Sequence, residues 1–420
     1  MKTSAHLLVA LLAPALAGLA QASTQGPAGE AAPNPRLAIP SAGVSFPISY
    51  TGEVWGNPTG GHRQGAVYDG LLEAGMTIDL AKAVYWQGAT LTVDGLYPHG
   101  SSITRNDVRD FNVLSNIDAL HNPRLYEAWL EQDMDGGKFS IRAGQLPINT
   151  EFAISSNGAL YINSAFAQVP TISPNVNTAV YPIAAPGVRV KETPNDNWTV
   201  MGGVFDGDIG DLNTTNRNGL RFNLNGRDGA LFLGEVAYTL NPPPAAPADG
   251  KQASTERPLS GTYKLGGFYD TAETSDNPAQ RPYKGDYGFY GVVDQELWHV
   301  PGAPDQGLQA FAQGGLTPPS RNVLTYYFAG GLNYQGLIPG RDKDLAGLAV
   351  IYSRLGNGLE TAQSPSPYPS HYETIIELTY QAILTGWLNV QPDLQYIFNP
   401  GGTGTQGDAL VLGLRVNMSF

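Results

Sequence analysis

Cysteine is absent from the 420 residues of the chain, which excludes disulfide bonds, thiolate nucleophiles and zinc sites built on cysteine. Charged residues make up only 15%, and the net charge of -13 is accompanied by no run of lysine or arginine. Such a chain is a poor binder of nucleic acid, so no nucleic-acid partner is expected. Long apolar runs are scarce too, and the mean hydropathy is -0.19. A bundle of membrane helices is therefore excluded, since each helix needs about 20 apolar residues.

The N-terminus carries a targeting signal. Lys2 precedes a short apolar stretch, which is followed by Ala20-Gln21-Ala22, an A-x-A cleavage site. This pattern is typical of a secretory signal peptide, and the stretch is too short for a membrane anchor. We expect residues 1–22 to be removed, so that the mature chain begins near Ser23. Residues 23–47 are rich in Pro, Ala and Gly and are expected to form a flexible lead-in.

Alternation of apolar and polar residues, the pattern of β-strands, dominates the chain from about Ile48 onwards. The alternating segments are separated by turns rich in Gly, Pro, Asn and Asp, and the polar positions repeatedly carry charge. A soluble β-sandwich produces the same pattern with its apolar face inward, so alternation alone leaves two architectures open. The clearest segments are residues 138–143, 188–191, 376–381 and 388–396.

Three features favour a transmembrane barrel over a sandwich. Roughly 16 strands are expected, many about 9–12 residues long, which is the length that crosses hydrocarbon at a tilt. Tyrosine (21) outnumbers tryptophan (6), and aromatic residues such as Tyr126, Tyr326 and Tyr327 gather at strand ends, as in the girdles of such barrels. The last strand alternates up to Phe420, which resembles the terminal signal recognised by the outer-membrane assembly machinery.

The predicted fold class is therefore all-β, a transmembrane antiparallel β-barrel of about 16 strands formed by residues 48–420. The barrel has to close, because an open sheet edge in lipid leaves N–H and C=O groups without partners. A barrel of this width is too wide to be filled by its own side chains and leaves a water-filled lumen. The predicted location is the bacterial outer membrane.

Short motifs along the chain, none specific alone, together match one family in order and spacing. Through these motifs the sequence resembles the OprB-type carbohydrate-selective porins over nearly its whole mature length. The resemblance implies passive diffusion of monosaccharides and similar polar solutes through a constriction lined with charged side chains. The motifs include Asn57-Pro58-Thr59-Gly60-Gly61, Ala128-Trp129-Leu130-Glu131-Gln132, Arg142-Ala143-Gly144-Gln145, Gly187-Val188-Arg189-Val190 and Gln395-Tyr396-Ile397-Phe398-Asn399-Pro400-Gly401-Gly402.

Before Ile48 the sequence departs from the family pattern. The acidic segment with tryptophan that is common there is replaced by the Pro/Ala-rich lead-in, so no N-terminal plug helix is inferred. Expected partners are small carbohydrates, outer-membrane lipid and lipopolysaccharide, and the barrel assembly machinery through Phe420. The sequence leaves open which sugar passes, the ion selectivity, and whether the protein is a monomer or a homo-oligomer.

A predicted hairpin, residues 124–146 with its turn at Asp135-Gly136-Gly137, supplies the best candidates for the pore wall. On each strand the charged residues share one face, which we assign to the lumen, because charge on the lipid face costs about 2–4 kcal/mol near the midplane. Opposed donors and acceptors beside an aromatic ring suit a sugar, although the same ions fit a purely structural role in bracing the wall. The candidates are Glu127, Trp129, Glu131, Lys138 and Arg142.

Further pore candidates lie outside this hairpin. Alternation directs Arg189 to the lumen, and the resemblance implies arginines at the constriction, for which Arg105 and Arg109 are candidates. The segment Asn163 to Tyr181 is long and lacks alternation. Long segments of this kind are often functional, so it is expected to fold inward and narrow the lumen, with an ordinary surface loop as the alternative.

Other functions receive less support. A barrel hydrolase is disfavoured because the six histidines lie in no GxSxG-like context, and a soluble sugar-binding protein would need long helical patterns that are missing. No enzymatic activity and no cofactor are therefore expected.

Asp206, Asp208 and Asp211 are spaced as in a calcium loop, but the glutamate that completes an EF-hand is absent, which favours a plain acidic loop. A general or ion-selective porin without sugar preference remains the main alternative.

Overall fold

The computed structural model of the chain describes residues 37–226, 228–242, 257–274, 283–356 and 371–420. The predicted signal peptide, residues 1–22, and the expected mature start at Ser23 lie outside these ranges. None of the helices in the described ranges is long and apolar enough to cross a membrane.

The described residues build one antiparallel sheet that closes on itself. Two short strands, β1 (Ala38–Ile39) and β2 (Val44–Ser45), precede 16 barrel strands. Each barrel strand pairs with the next along the chain, and the last pairs with the first, so the edge that lipid would expose is removed. The barrel strands are β3 (Ile48–Gly61), β4 (Gly65–Asp79), β5 (Ala89–Gly100), β6 (Arg124–Met134), β7 (Phe139–Leu146), β8 (Ala185–Asn195), β9 (Trp198–Asp206), β10 (Ala230–Leu240), β11 (Gly261–Thr274), β12 (Tyr283–Val300), β13 (Ala303–Leu316), β14 (Leu324–Gln335), β15 (Leu345–Leu355), β16 (Tyr372–Ile383), β17 (Leu388–Phe398) and β18 (Gly407–Ser419).

The two mouths of the barrel differ. Because the strands alternate in direction, the connections 101–123, 147–184 and 207–229 all lie at one mouth, which we call the loop mouth. The opposite mouth, called the turn mouth, holds short connections such as 135–138 and 196–197, together with both ends of the barrel sequence. In the described ranges helices are few and short, such as Leu80–Val84 and Ser164–Ala167.

Period-two alternation assigns the two faces of each strand as predicted from the sequence. On β16, Glu377 is fully buried inside while Leu378 is 52% exposed on the outer wall. Outward aromatic pairs mark both ends of the barrel, with Trp198 beside Tyr238 at the turn mouth and Tyr326 beside Tyr352 at the loop mouth. An apolar outer wall bounded at both ends by aromatic girdles is typical of a transmembrane barrel.

Two tyrosines assigned to the outer face from the sequence point inward instead. The register between β5 and β6 shifts after Asp94, where a β-bulge places Tyr126 inside, with its hydroxyl donating to Asn149 at 3.2 Å. Tyr327 is fully buried and its hydroxyl contacts the carbonyl of Ala165. Neighbouring Tyr326 stays outside, because adjacent strand residues face opposite sides.

The predicted flexible lead-in is in part structured. Its described portion, residues 37–47, contains β1, a one-turn helix over Pro40–Ala42, and β2. Val44 and Ser45 pair with Ile78 and Thr77 at the end of β4, so this portion is fixed against the turn mouth rather than free.

The terminal residue completes the last seam of the barrel. The amide N–H of Phe420 donates to the carbonyl of Ile48 at 2.8 Å, and its ring stacks on Trp387 at 6.4 Å between centroids. Deleting Phe420 is expected to lower the amount of folded barrel in the outer membrane, because a seam contact and the predicted assembly signal are lost together. Quantitative immunoblotting of outer-membrane fractions measures this amount, and unchanged levels would show that assembly does not depend on Phe420.

Candidate pore constriction

Two connections at the loop mouth turn inward and occupy part of the lumen. We call residues 101–123 and 147–184 the inner loops. Tyr161 and Phe166 of the second loop are fully buried and pack on Phe311, an inward residue of β13. The predicted inward segment, Asn163 to Tyr181, lies within this loop, which confirms its placement.

The inner loops are tied to the wall by carboxylates of β16. Glu377 accepts the backbone N–H groups of Ile162 at 2.6 Å and Asn163 at 3.0 Å. Glu373 accepts those of Phe111 at 2.7 Å and Asn112 at 2.8 Å. Both carboxylates are fully buried, and each is bound to an inner loop through main-chain donors that any sequence supplies.

Other wall residues repeat this arrangement around the circumference. Asp294 on β12 accepts the N–H groups of Ser156 and Asn157 at 3.0 Å each. Gln395 on β17 donates to the carbonyl of Leu114 at 3.0 Å. Because buried polar groups are costly to leave unpaired, these bonds fix the loops at several points.

The remaining lumen contains a network of four charged side chains on β6, β7, β8 and the second inner loop. Glu131 accepts from Arg142 at 2.7 Å and from Arg189 at 2.6 Å. Arg189 also donates to Glu151 at 2.7 Å and to the hydroxyl of Ser140. The Arg189 side chain is 0% exposed, whereas Arg142 retains 15% and Glu151 17%. Arg189 therefore braces the network, and the other three present charge to the lumen.

Trp129 and Glu127 extend this network along β6. The Trp129 indole N–H donates to Glu127 at 2.5 Å, and the Arg142 guanidinium lies 3.8 Å from the centroid of the Trp129 ring. This cation–π contact holds Arg142 in place and covers one face of the ring. Asp94 lies opposite Glu127 in the sheet, so the acidic surface continues onto β5.

Three of the predicted pore residues lie apart from this network. Lys138 is exposed in the turn after Met134, outside both strands of the hairpin, so its assignment to the lumen face of β7 was wrong. Arg105 pairs with Asp118 at 3.0 Å inside the first inner loop. Arg109 is exposed in the same loop at a left-handed backbone position, φ 62°. Burial raises the pKa of Asp118, and the nearby Arg105 opposes that rise.

Glu151 belongs to the network, but the sequence pattern did not single it out. It sits in a non-alternating loop, so no periodicity assigned it to a face. Its partner Arg189 is 38 positions away in sequence. Only the inward fold of the second inner loop brings the two side chains together.

The loop that contains Asp206, Asp208 and Asp211, expected from the sequence to be a plain acidic loop, forms contacts with protein groups. Asp208 pairs with Arg221 at 3.4 Å, and Asp211 accepts the N–H groups of Asn213 and Thr214. Within the described ranges, no group of three acidic, histidine or cysteine side chains is arranged to hold a metal ion. In the structure Asp208 and Asp211 therefore hold Arg221 and the backbone of their own loop.

A closed barrel with outward aromatic girdles, a polar lumen and inward loops defines an outer-membrane porin. Residues 63–420 match the carbohydrate-selective porin, OprB family. The chain belongs to this family, and it is a carbohydrate-selective porin of the outer membrane. Family members are channels rather than enzymes.

Individual relatives resemble the chain in sequence or share its fold. Porin B of Pseudomonas aeruginosa is 25% identical over 92% of this chain and 89% of its own length. The structure of Pseudomonas putida OprB at high pH superimposes with a TM-score of 0.77 at 24% identity, covering 91% of this chain and 95% of that one. The DcaP channel of Acinetobacter baumannii shares the fold at a TM-score of 0.53 and 11% identity.

Proposed function

We propose that sugars of about monosaccharide size pass an aperture formed by the four-residue network and its neighbours on β6, and that the pore prefers cations to anions. The observation that carries this proposal is the network itself, in which Glu131, Arg142 and Glu151 face a lumen narrowed by the inner loops. The wall residues are Glu127, Trp129, Glu131, Arg142, Glu151 and Arg189.

The chemistry of the network suits neutral sugars. Sugar hydroxyls donate to the carboxylates and accept from the guanidinium, so both kinds of hydrogen bond that water makes with a sugar have a replacement. Each charged group already has a protein partner, as Arg142 has in Glu131 at 2.7 Å. No unpaired charge of the network is therefore available to hold a sugar tightly. The sugar exchanges hydrogen bonds with paired groups, so it can both enter and leave the aperture.

The cation preference follows from the balance of charge around the aperture. Arg142 and Arg189 are the basic groups of the network, and they pair with Glu131 and Glu151. Glu127 and the acidic residues of β4 and β5, Glu73 and Asp94, add further carboxylates on neighbouring strands. Rings of carboxylates select cations at close quarters.

Replacing Arg142 with alanine is expected to increase the cation preference and to weaken block of the ion current by monosaccharides. The substitution removes a donor to sugar hydroxyls and uncovers the negative charge of Glu131, while Arg189 keeps the wall braced. Reversal potentials in a salt gradient measure the selectivity, and sugar titrations in planar bilayers measure the block.

Lys138→Ala is the matched control, because it removes a basic residue from the same hairpin without touching the network. It is expected to conduct like the unaltered protein. If Lys138→Ala shifts selectivity and Arg142→Ala does not, the aperture lies elsewhere. Unchanged sugar block in Arg142→Ala would show that the sugar does not depend on Arg142, whereas an unaltered channel without any sugar block would favour a general porin without sugar preference.

Contacts with lipopolysaccharide, recognition by the assembly machinery through Phe420, and assembly into a homo-oligomer remain predictions from the sequence. So do the roles of Arg105 and Arg109, which lie in the first inner loop. As part of the same proposal, these two arginines line the entrance to the aperture.

A further inference from the structure

The connection 207–229 exposes three large apolar side chains at alternate positions. Leu220 is 62% exposed, Phe222 52% and Leu224 74%. Between them Arg221 turns the other way and pairs with Asp228 at 2.7 Å. This stretch therefore has one exposed apolar face and one polar face, whose Arg221 is paired with an acidic residue of the same loop. We call Leu220, Phe222 and Leu224 the apolar flap.

The flap lies on the outer surface of the barrel and not over the lumen. Its preceding residues cross the ends of β6 and β7, where Asn218 accepts the N–H of Leu125 at 3.0 Å. The Gln145 side chain, which points outward from β7, donates to the carbonyl of Gly219 at 2.9 Å. Below this crossing a shallow groove separates the flap from the wall, lined by Ala128, Ala143, Val188, Val204, Phe222 and Leu224.

The flap occupies a gap in the aromatic girdle of the loop mouth. From β10 to β16, every strand except β13, which has Leu316 there, carries a large outward ring near this mouth. The rings are Phe232, Tyr269, Phe289, Tyr326, Tyr352 and Tyr372. On β6 to β9 the corresponding outward residues are the small ones that line the groove, Ala128, Ala143, Val188 and Val204. The described strands thus supply no ring in this sector, and Phe222 of the flap lies at the missing place.

We propose that the apolar flap is a membrane-contacting element that inserts among the acyl chains of the outer leaflet and completes the girdle over β6 to β9. The argument for lipid as the occupant is continuity. The groove opens onto the same apolar wall, through Val188 and then Val190 of β8, that faces hydrocarbon in an outer-membrane barrel. Three exposed apolar side chains that join this wall extend its lipid-facing surface.

The absence of cysteine from the chain makes the test direct. Single-cysteine variants Leu224→Cys, Val190→Cys and Asn213→Cys, each carrying a nitroxide label, are reconstituted into phospholipid vesicles. Collision rates with oxygen, which concentrates in hydrocarbon, are compared with those of a water-soluble nickel chelate. Val190 reports the hydrocarbon-facing wall, and exposed Asn213 reports the aqueous part of the same connection.

The label at position 224 is expected to behave like that at 190, with oxygen collisions exceeding nickel collisions. A label at 224 that matches 213 overturns the proposal, because the flap would then lie in water. Spin–spin broadening at 224 also overturns it, since it would mean that a second copy of the chain covers the flap. Leu220→Cys, at a second exposed flap position, repeats the measurement if the first variant folds poorly.

Discussion

Replacing Glu377 with alanine is expected to leave the barrel folded while loosening the second inner loop. The two N–H groups that Glu377 accepts, those of Ile162 and Asn163, would remain buried without partners. Each such group costs about 1–3 kcal/mol, so conformations with the loop displaced become much more populated. We expect larger and noisier single-channel currents with weak sugar block.

The strand pairing should resist this change, because β16 keeps its hydrogen bonds to β15 and β17. Glu296→Ala is the matched control, since Glu296 is an inward carboxylate on β12 that pairs with Arg257 and contacts no inner loop. It is expected to conduct normally. Quiet currents and full sugar block in Glu377→Ala would show that the inner loop is held by its apolar packing alone.

Replacing Ile141 with arginine is expected to prevent assembly of most of the protein, although it adds only one charge next to Arg142. Ile141 pairs with Gln132 and Val190 on the outer wall, whereas Arg142 pairs with Glu131 inside. An arginine on the lipid face costs about 2–4 kcal/mol near the midplane, and the cost falls to about 0–1 near the interface. The shift between folded and unfolded bands on unheated gels measures the folded fraction.

Met134→Arg provides the control for depth. Met134 is outward on the same hairpin, but it is the last residue of β6 at the turn mouth. It is expected to tolerate the charge. A stable, well-assembled Ile141→Arg barrel with altered selectivity would mean that the register of this hairpin is wrong by one residue.

Alternation predicted the wall of the barrel from the sequence because lipid and water impose opposite demands on adjacent positions. Alternation assigns Glu131, Arg142 and Arg189 to the lumen, and in the structure both guanidinium groups lie within 2.7 Å of the Glu131 carboxylate. Alternation failed where a bulge inserted a residue, at Tyr126, and where β7 begins one residue later than predicted, after Lys138.

The inner loops could not be derived in the same way. Their positions depend on contacts between residues far apart in the chain, such as Asn112 with Glu373, which are separated by 261 positions. The wall groups that hold them are carboxylates and amides such as those of Glu377, Asp294 and Gln395, which in the sequence look like ordinary lumen residues. Glu151 was missed for the same reason, because its role follows from where the loop folds and not from a local pattern.

Single-channel recording on the purified protein tests the central claim most directly. Ion current is measured in planar bilayers while a monosaccharide and a disaccharide are titrated in turn. A charged aperture of monosaccharide size predicts saturable block by the monosaccharide, and this block should be weaker in Arg142→Ala than in the unaltered channel. The proposed aperture would be contradicted if neither sugar reduced the current. It would also be contradicted if the monosaccharide blocked Arg142→Ala as strongly as the unaltered channel.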